Sequence, residues 1–370
     1  MRPWLVGLCV LLSPSAFAQS TSAPELPFDS VPNFIKLPPD MHLGEASGVA
    51  VNSKGNVYVY SRGGTVANAF GATASQILEF DRDGGFIREV GKNLYAWAFA
   101  HTVRVDKDDN IWATDKGSDM IVKMNPAGRV QMVFGRKSES SDAEAHPHER
   151  NKNPPEPHID GRFRQPTDVA WDRAGNTYIS DGYVNSRVAK VSKDGDWLKS
   201  WGKKGKGDGE FDTLHTIASD NNDNIYVGDR GNRRVQVFDT EGTLKYKFSI
   251  DIPPPADAKP AIGNMPNLTN YLTQGGTQTP GAPWAICIPP GPNQVAYISD
   301  AFPGRIYKVA LDGKGTVLGW FGKSGKQLKQ FGWVHQIACP NENEIYVSEI
   351  LNWRVQKLIL NPSQQRVEVR

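Results

Sequence analysis

The chain has 370 residues, 42 Lys and Arg against 40 Asp and Glu, and a formal net charge of +2. So even a balance offers no basic field for nucleic acid, and the local run Lys203-Lys-Gly-Lys206 reads as a solvated loop. With 36 Gly, 26 Pro and no amphipathic helical stretch, the composition points to short strands joined by tight turns.

At the N-terminus, Arg2 precedes the apolar run Trp4–Leu12, followed by small residues at Ala16 and Ala18. This pattern predicts a signal peptide over residues 1–18, cleaved after Ala18, and hence export to the periplasm or the medium. The apolar run is too short to remain as a membrane span, so no integral membrane segment is expected. Cleavage removes Cys9 and leaves Cys287 and Cys339, which an oxidising compartment allows to pair. Residues 19–40 read as a linker. Its short strand Asn33–Leu37, or else the terminal segment Gln365–Arg370, would complete the outer edge of a blade.

From residue 41 to 370 one frame recurs six times. Its first strands begin at Ser47-Gly-Val, His101-Thr-Val, Thr167-Asp-Val, His215-Thr-Ile, Trp284-Ala-Ile and His335-Gln-Ile. Second strands such as Asn56–Ser61, Asn110–Asp115, Asn176–Asp181 and Asn224–Asp229 follow, then third strands such as Arg187–Val191 and Arg234–Phe238. A fourth often ends in aromatic-Gly, as at Trp201-Gly202 and Phe134-Gly135. Four antiparallel strands repeated six times around a central channel make an all-β, six-bladed β-propeller, folded as one domain. Two insertions, residues 136–164 and 250–283, are long enough to form a rim over one face. The first carries His146, His148 and His158, of which the pair His146 and His148 is an alternative metal site that more readily reads as an exposed loop.

Three of the seven histidines occupy one position of the repeat. His101, His215 and His335 each stand fourteen residues before the acid that closes the second strand, Asp115, Asp229 or Glu349. Equivalent positions in a closed ring face one axis, and three imidazoles with an open fourth position are a zinc arrangement. Asp115, Asp181, Asp229, Asp300 and Glu349 recur too regularly for chemistry and are expected to bond turn and inter-blade amides.

The segment Gln165-Pro-Thr-Asp-Val-Ala170 with Ser180-Asp-Gly-Tyr-Val-Asn-Ser-Arg187 resembles the peptidyl-α-hydroxyglycine α-amidating lyases, six-bladed propellers of the NHL-repeat type. The likeness extends from about residue 40 to 360. It implies zinc on His101, His215 and His335, a catalytic tyrosine at Tyr183, and substrate-binding arginines at Arg62 and Arg230. It also implies a structural Ca2+ held partly by the backbone of Val49 and Val103. Two positions differ from the family. Gln336 stands where an acidic calcium ligand follows the third histidine, and Trp333 replaces a pocket methionine. The activity implied is a zinc-dependent lyase step. The C–N bond of an N-substituted α-hydroxyglycine breaks to give an amide and glyoxylate, the substrate being a peptide or a smaller molecule and the protein a monomer. The alternatives are a non-catalytic exported propeller that binds a peptide or glycan, and a calcium-dependent lactonase or esterase. The histidine-rich axis argues against the last, because calcium prefers oxygen ligands.

Overall fold

The computed structural model describes residues 22–63, 75–137, 157–261 and 265–361. Within them lie six four-stranded antiparallel sheets. The first strand of each sheet is innermost. In chain order these inner strands are Glu45–Val51, Ala100–Val105, Asp168–Trp171, Leu214–Ser219, Ala285–Cys287 and Val334–Ala338, numbered here as blades 1 to 6. Each touches its two neighbours, and the sixth touches the first, so the ring is closed.

Packing explains why no blade stands alone. The apolar side chains gather into six main clusters, each shared by two adjacent blades. Tyr60 and Ile77 of blade 1, for example, pack with Ala113 and Val122 of blade 2, all fully buried. A single blade would leave both faces wet, so stability is a property of the ring. The turns are set locally. Asn52, Asp106, Asp172 and Asp220 each accept a backbone N–H four residues on, closing the hairpin that presents the next strand.

The ring closes differently from the sequence expectation. The outer strand of blade 6 is Phe28–Ser30, paired antiparallel with Arg354–Leu360. Phe28 stacks against Phe321 and Phe331 at centroid distances of 5.0 and 6.3 Å, filling the space between blades 5 and 6. Asn33–Leu37 has the stronger strand composition, yet it lies along blade 1, with only a bridge from Lys36 to Gly85 and Phe34 packed on Tyr346. Both segments bury an aromatic ring, Phe28 between blades 5 and 6 and Phe34 between blades 6 and 1, so local strand propensity does not decide which one joins the sheet. Gln365–Arg370 and residues 1–18 lie outside the described residues.

Cys287 and Cys339 form a disulfide with Cα atoms 6.1 Å apart, tying the inner strands of blades 5 and 6. No helix among the described residues is long and apolar enough to cross a membrane. The single helix described there, Tyr271–Gln274, belongs to the insertion over residues 250–283.

Candidate metal centre

A repeated irregularity builds the site. In blades 1, 2, 4 and 6 the pairing of the inner strand slips by one residue, and the residue left unpaired is Ser47, His101, His215 or His335. Such a bulge turns a side chain out of the ladder, here toward the axis. The three histidines are buried, with ring centroids 4.6 to 4.8 Å apart. One ring nitrogen of each lies within 4.8 Å of the others.

The neighbouring blades settle which nitrogen that is. His101 Nδ1 donates to the Thr167 carbonyl at 2.6 Å, His215 Nδ1 to Trp284 at 2.6 Å and His335 Nδ1 to Ser47 at 2.7 Å. A carbonyl only accepts, so each Nδ1 carries the proton and each Nε2 keeps its lone pair. Ligands come from blades 2, 4 and 6, and the carbonyls that orient them come from the same frame position in blades 3, 5 and 1. His215 Nε2 is buried and has no hydrogen-bond partner among the described residues. Burial holds all three imidazoles well below their usual pKa, reinforced for His335 by Arg62 and for His215 by Arg230. Neutral, oriented imidazoles with unspent lone pairs fit a divalent metal, and the carbonyl partners are the outer shell that such ligands ordinarily have.

Tyr183 stands at this centre, its hydroxyl 3.4 Å from His101 Nε2. Its ring lies under the Lys116 ammonium at 4.0 Å and near the Arg230 guanidinium at 5.6 Å. Arg62 is held by Glu45, at 2.5 Å from Nη1, and by the Ala100 carbonyl, at 3.0 Å from Nε, while its guanidinium covers Phe99 at 3.9 Å. Arg230 stacks on Trp284 at 4.2 Å. Trp333 packs on Trp284 at 5.0 Å, and Trp284 in turn approaches His215 and His335 at 5.2 and 6.0 Å.

The surroundings of the triad are therefore divided. The residue immediately after the second-strand position is Arg62, Lys116 and Arg230 in blades 1, 2 and 4, but Ala301 and Ile350 in blades 5 and 6. Those last two form an apolar cluster with Trp284, Trp333 and Leu351. Lys116 went unnoticed in the sequence although it shares its position with Arg62 and Arg230. The sequence marks Trp284 only as the start of the fifth frame. Its indole N–H donates to Thr277 in the 250–283 insertion at 2.6 Å, so that insertion does border the site.

At Val49 and Val103 an uncharged side-chain amide meets the backbone groups that the calcium expectation named. Both N–H groups donate to Gln336 Oε1 at 3.1 Å, and the Val103 carbonyl accepts Gln336 Nε2 at 2.7 Å. His146 and His148 lie outside the described residues, and His158 bonds the Asn185 carbonyl at 2.7 Å without joining the triad. The repeated acids serve the fold as expected. Asp115, for instance, accepts from the N–H groups of Ala98, Phe99, Gly117 and Ser118 and from the Tyr60 hydroxyl.

Comparison with known proteins adds ancestry. The NHL-repeat family matches residues 211–238. The mouse protein named peptidyl-glycine alpha-amidating monooxygenase is 30% identical over 350 residues, covering 88% of this chain and 31% of that protein. A Drosophila melanogaster protein named peptidyl-alpha-hydroxyglycine alpha-amidating lyase 1 is 25% identical over 352 residues, covering 86% of this chain and 58% of that one. The chain thus spans less than two thirds of either relative. Among solved structures, virginiamycin B lyase from Staphylococcus aureus superposes with a TM-score of 0.54 at 13% identity, covering 91% of this chain and all of that one, a likeness of fold alone.

Proposed function

The chain belongs to the peptidyl-α-hydroxyglycine α-amidating lyase family, and from that premise we propose that it is a zinc-dependent carbon–nitrogen lyase acting on N-acyl or N-ureido α-hydroxyglycines. The observation that carries this reading is the approach of the Tyr183 hydroxyl to the unspent face of a buried, neutral histidine triad. His101, His215 and His335 would hold the metal, which when bound supplies Lewis acidity that makes a nearby hydroxyl easier to deprotonate.

The chain's own groups supply the rest. Tyr183, acting as its phenolate, receives the hydroxyl proton of the substrate, with the Lys116 and Arg230 cations beside its ring to face the negative charge. The electron pair left on oxygen forms the carbonyl of glyoxylate, the C–N bond breaks, and the departing nitrogen takes that proton from Tyr183 to become the amide, which restores the phenolate. No electron acceptor and no water are consumed. Arg230, at the same frame position as Arg62 and Lys116, would hold the substrate carboxylate on the cationic side, fixing the reacting carbon beside the metal. The N-acyl substituent then falls on the indoles of Trp284 and Trp333 with Ile350, a flat apolar surface that favours planar or apolar groups. The Cys287–Cys339 disulfide supports export to an oxidising compartment, periplasmic or extracellular.

The test is glyoxylate release from α-hydroxyhippurate and from ureidoglycolate by zinc-loaded protein, beside Tyr183→Phe. Release by the wild type, falling about 10²- to 10⁴-fold in the variant with metal content unchanged, is the expected result. Zinc-loaded wild type that releases none from either compound would instead leave a binding propeller with a metal in its axis.

A further inference from the structure

The inner strands of a propeller pair on one side only, so each presents a row of unpaired backbone groups to the axis. Buried groups of this kind must find partners. Behind the histidine triad they find them in a few side chains. The N–H groups at one equivalent position are those of Val49, Val103, Val169, Ile217 and Ile286, from blades 1 to 5. Gln336 Oε1 accepts the first two at 3.1 Å. Asp168 accepts the next two, at 2.9 and 3.3 Å, and Thr216 Oγ1 accepts the fifth at 3.2 Å.

The carbonyls are served by donors. Gln336 Nε2 reaches Val103 at 2.7 Å, while Arg104 Nη2 reaches Ile217 at 3.5 Å and Ile286 at 3.3 Å. Arg104 also grips Asp168 with both Nε and Nη2, at 2.9 and 2.6 Å, and Asp168 accepts the Thr216 hydroxyl at 3.0 Å. Arg104 starts from blade 2 and Gln336 from blade 6, and between them and Asp168 every blade is engaged.

We propose that this Arg104–Asp168–Gln336 hub takes the place of an axial metal ion. A guanidinium from the chain provides the positive charge that faces the carbonyls, and an uncharged amide stands where a cation would require anionic oxygen. The hub also serves the metal centre. Gln336 follows His335, Thr216 follows His215, and Asp168 follows Thr167, whose carbonyl orients His101. The axis behind the histidines accordingly takes no calcium, and the stability of the ring is independent of that ion. The inference rests on the axis alone and stands or falls apart from the lyase reading.

The experiment keeps zinc saturating throughout. Wild-type protein is equilibrated with millimolar calcium or with calcium-free buffer, and bound metals and Tm are measured. The expected result is no stoichiometric calcium and the same Tm in both buffers. Bound calcium at one per chain, or a Tm that drops without calcium and recovers with it, overturns the proposal. The double variant Arg104→Met with Gln336→Glu removes the cation and adds a carboxylate, and its Tm is expected to rise when calcium is added. If it folds and ignores calcium, the axis is no cation position and the proposal fails. Arg104→Met alone leaves the Asp168 charge buried without its partner and is expected to lose about 5 °C or more. An unchanged Tm there would equally overturn the hub.

Discussion

His335 Nδ1 donates to the Ser47 carbonyl at 2.7 Å, and this bond crosses the seam where the last blade meets the first. One histidine of the candidate metal triad is therefore oriented by a residue 288 positions away in the chain. The centre exists only when the ring is shut, so metal affinity reports on closure.

Removing a ligand separates chemistry from fold. His215→Ala deletes a neutral ring whose only hydrogen bond among the described residues goes to the Trp284 carbonyl. Metal affinity is expected to fall by more than about 100-fold, since even loss of an orienting partner costs 10- to 100-fold. Circular dichroism should match the wild type. Metal analysis of both proteins after equal exposure to zinc decides the matter, and full retention by the variant would remove His215 from the ligand set.

The two arginines should behave differently. Arg230→Ala is expected to raise KM about 10- to 100-fold while Tm holds, as loss of a charge-assisted contact to a carboxylate would. Arg62→Ala leaves Glu45 without the ion pair and uncovers Phe99, so its activity loss should come with a lower Tm. Steady-state kinetics beside a thermal melt distinguishes binding from support.

Acid should loosen the metal-free protein through the same histidines. Burial keeps their folded pKa values well below 6.5, whereas the unfolded chain takes up protons near that value. Below about pH 6.5 the unfolded state binds more protons, so stability is lost as pH falls and is flat above pH 7. A Tm series from pH 8 to pH 5 checks this, and His215→Ala should show the shallower decline. A wild-type Tm that stays level to pH 5 would contradict it.

The disulfide bridges residues 52 apart in sequence. Chain-entropy reasoning assigns such a cross-link about 4 kcal/mol. Cys287→Ser with Cys339→Ser should lower the denaturation midpoint accordingly while zinc binding survives, because both sulfurs lie at the ends of the inner strands away from His335. Denaturant titration of the double variant is the measurement.

Much of this was legible in the sequence because a repeat turns position into direction. A shared register put His101, His215 and His335 on one axis, while Arg62 and Arg230 came from the family resemblance. Lys116 shares the frame position of those two arginines and could have been found from it. Trp284 was harder, since it holds the histidine position of the frame in blade 5 but a tryptophan at a strand start gives no sign that it borders a site. The Phe28 strand was hidden by its poorer composition. The hub could not be read at all, because Arg104 and Gln336 have partners in strands remote in sequence, and long polar residues in a strand give no local sign of facing an axis.

The bulge that aims each ligand is shared by blade 1, where the aimed residue is Ser47 and not histidine. The bend in the strand thus owes nothing to the imidazole it carries, and the carbonyls that orient the ligands are backbone atoms that survive any substitution. A descendant of this protein could exchange all three histidines and keep its outline, its closure and its hub. In a family built this way, shared architecture says little about shared chemistry, and three positions in the chain say nearly everything.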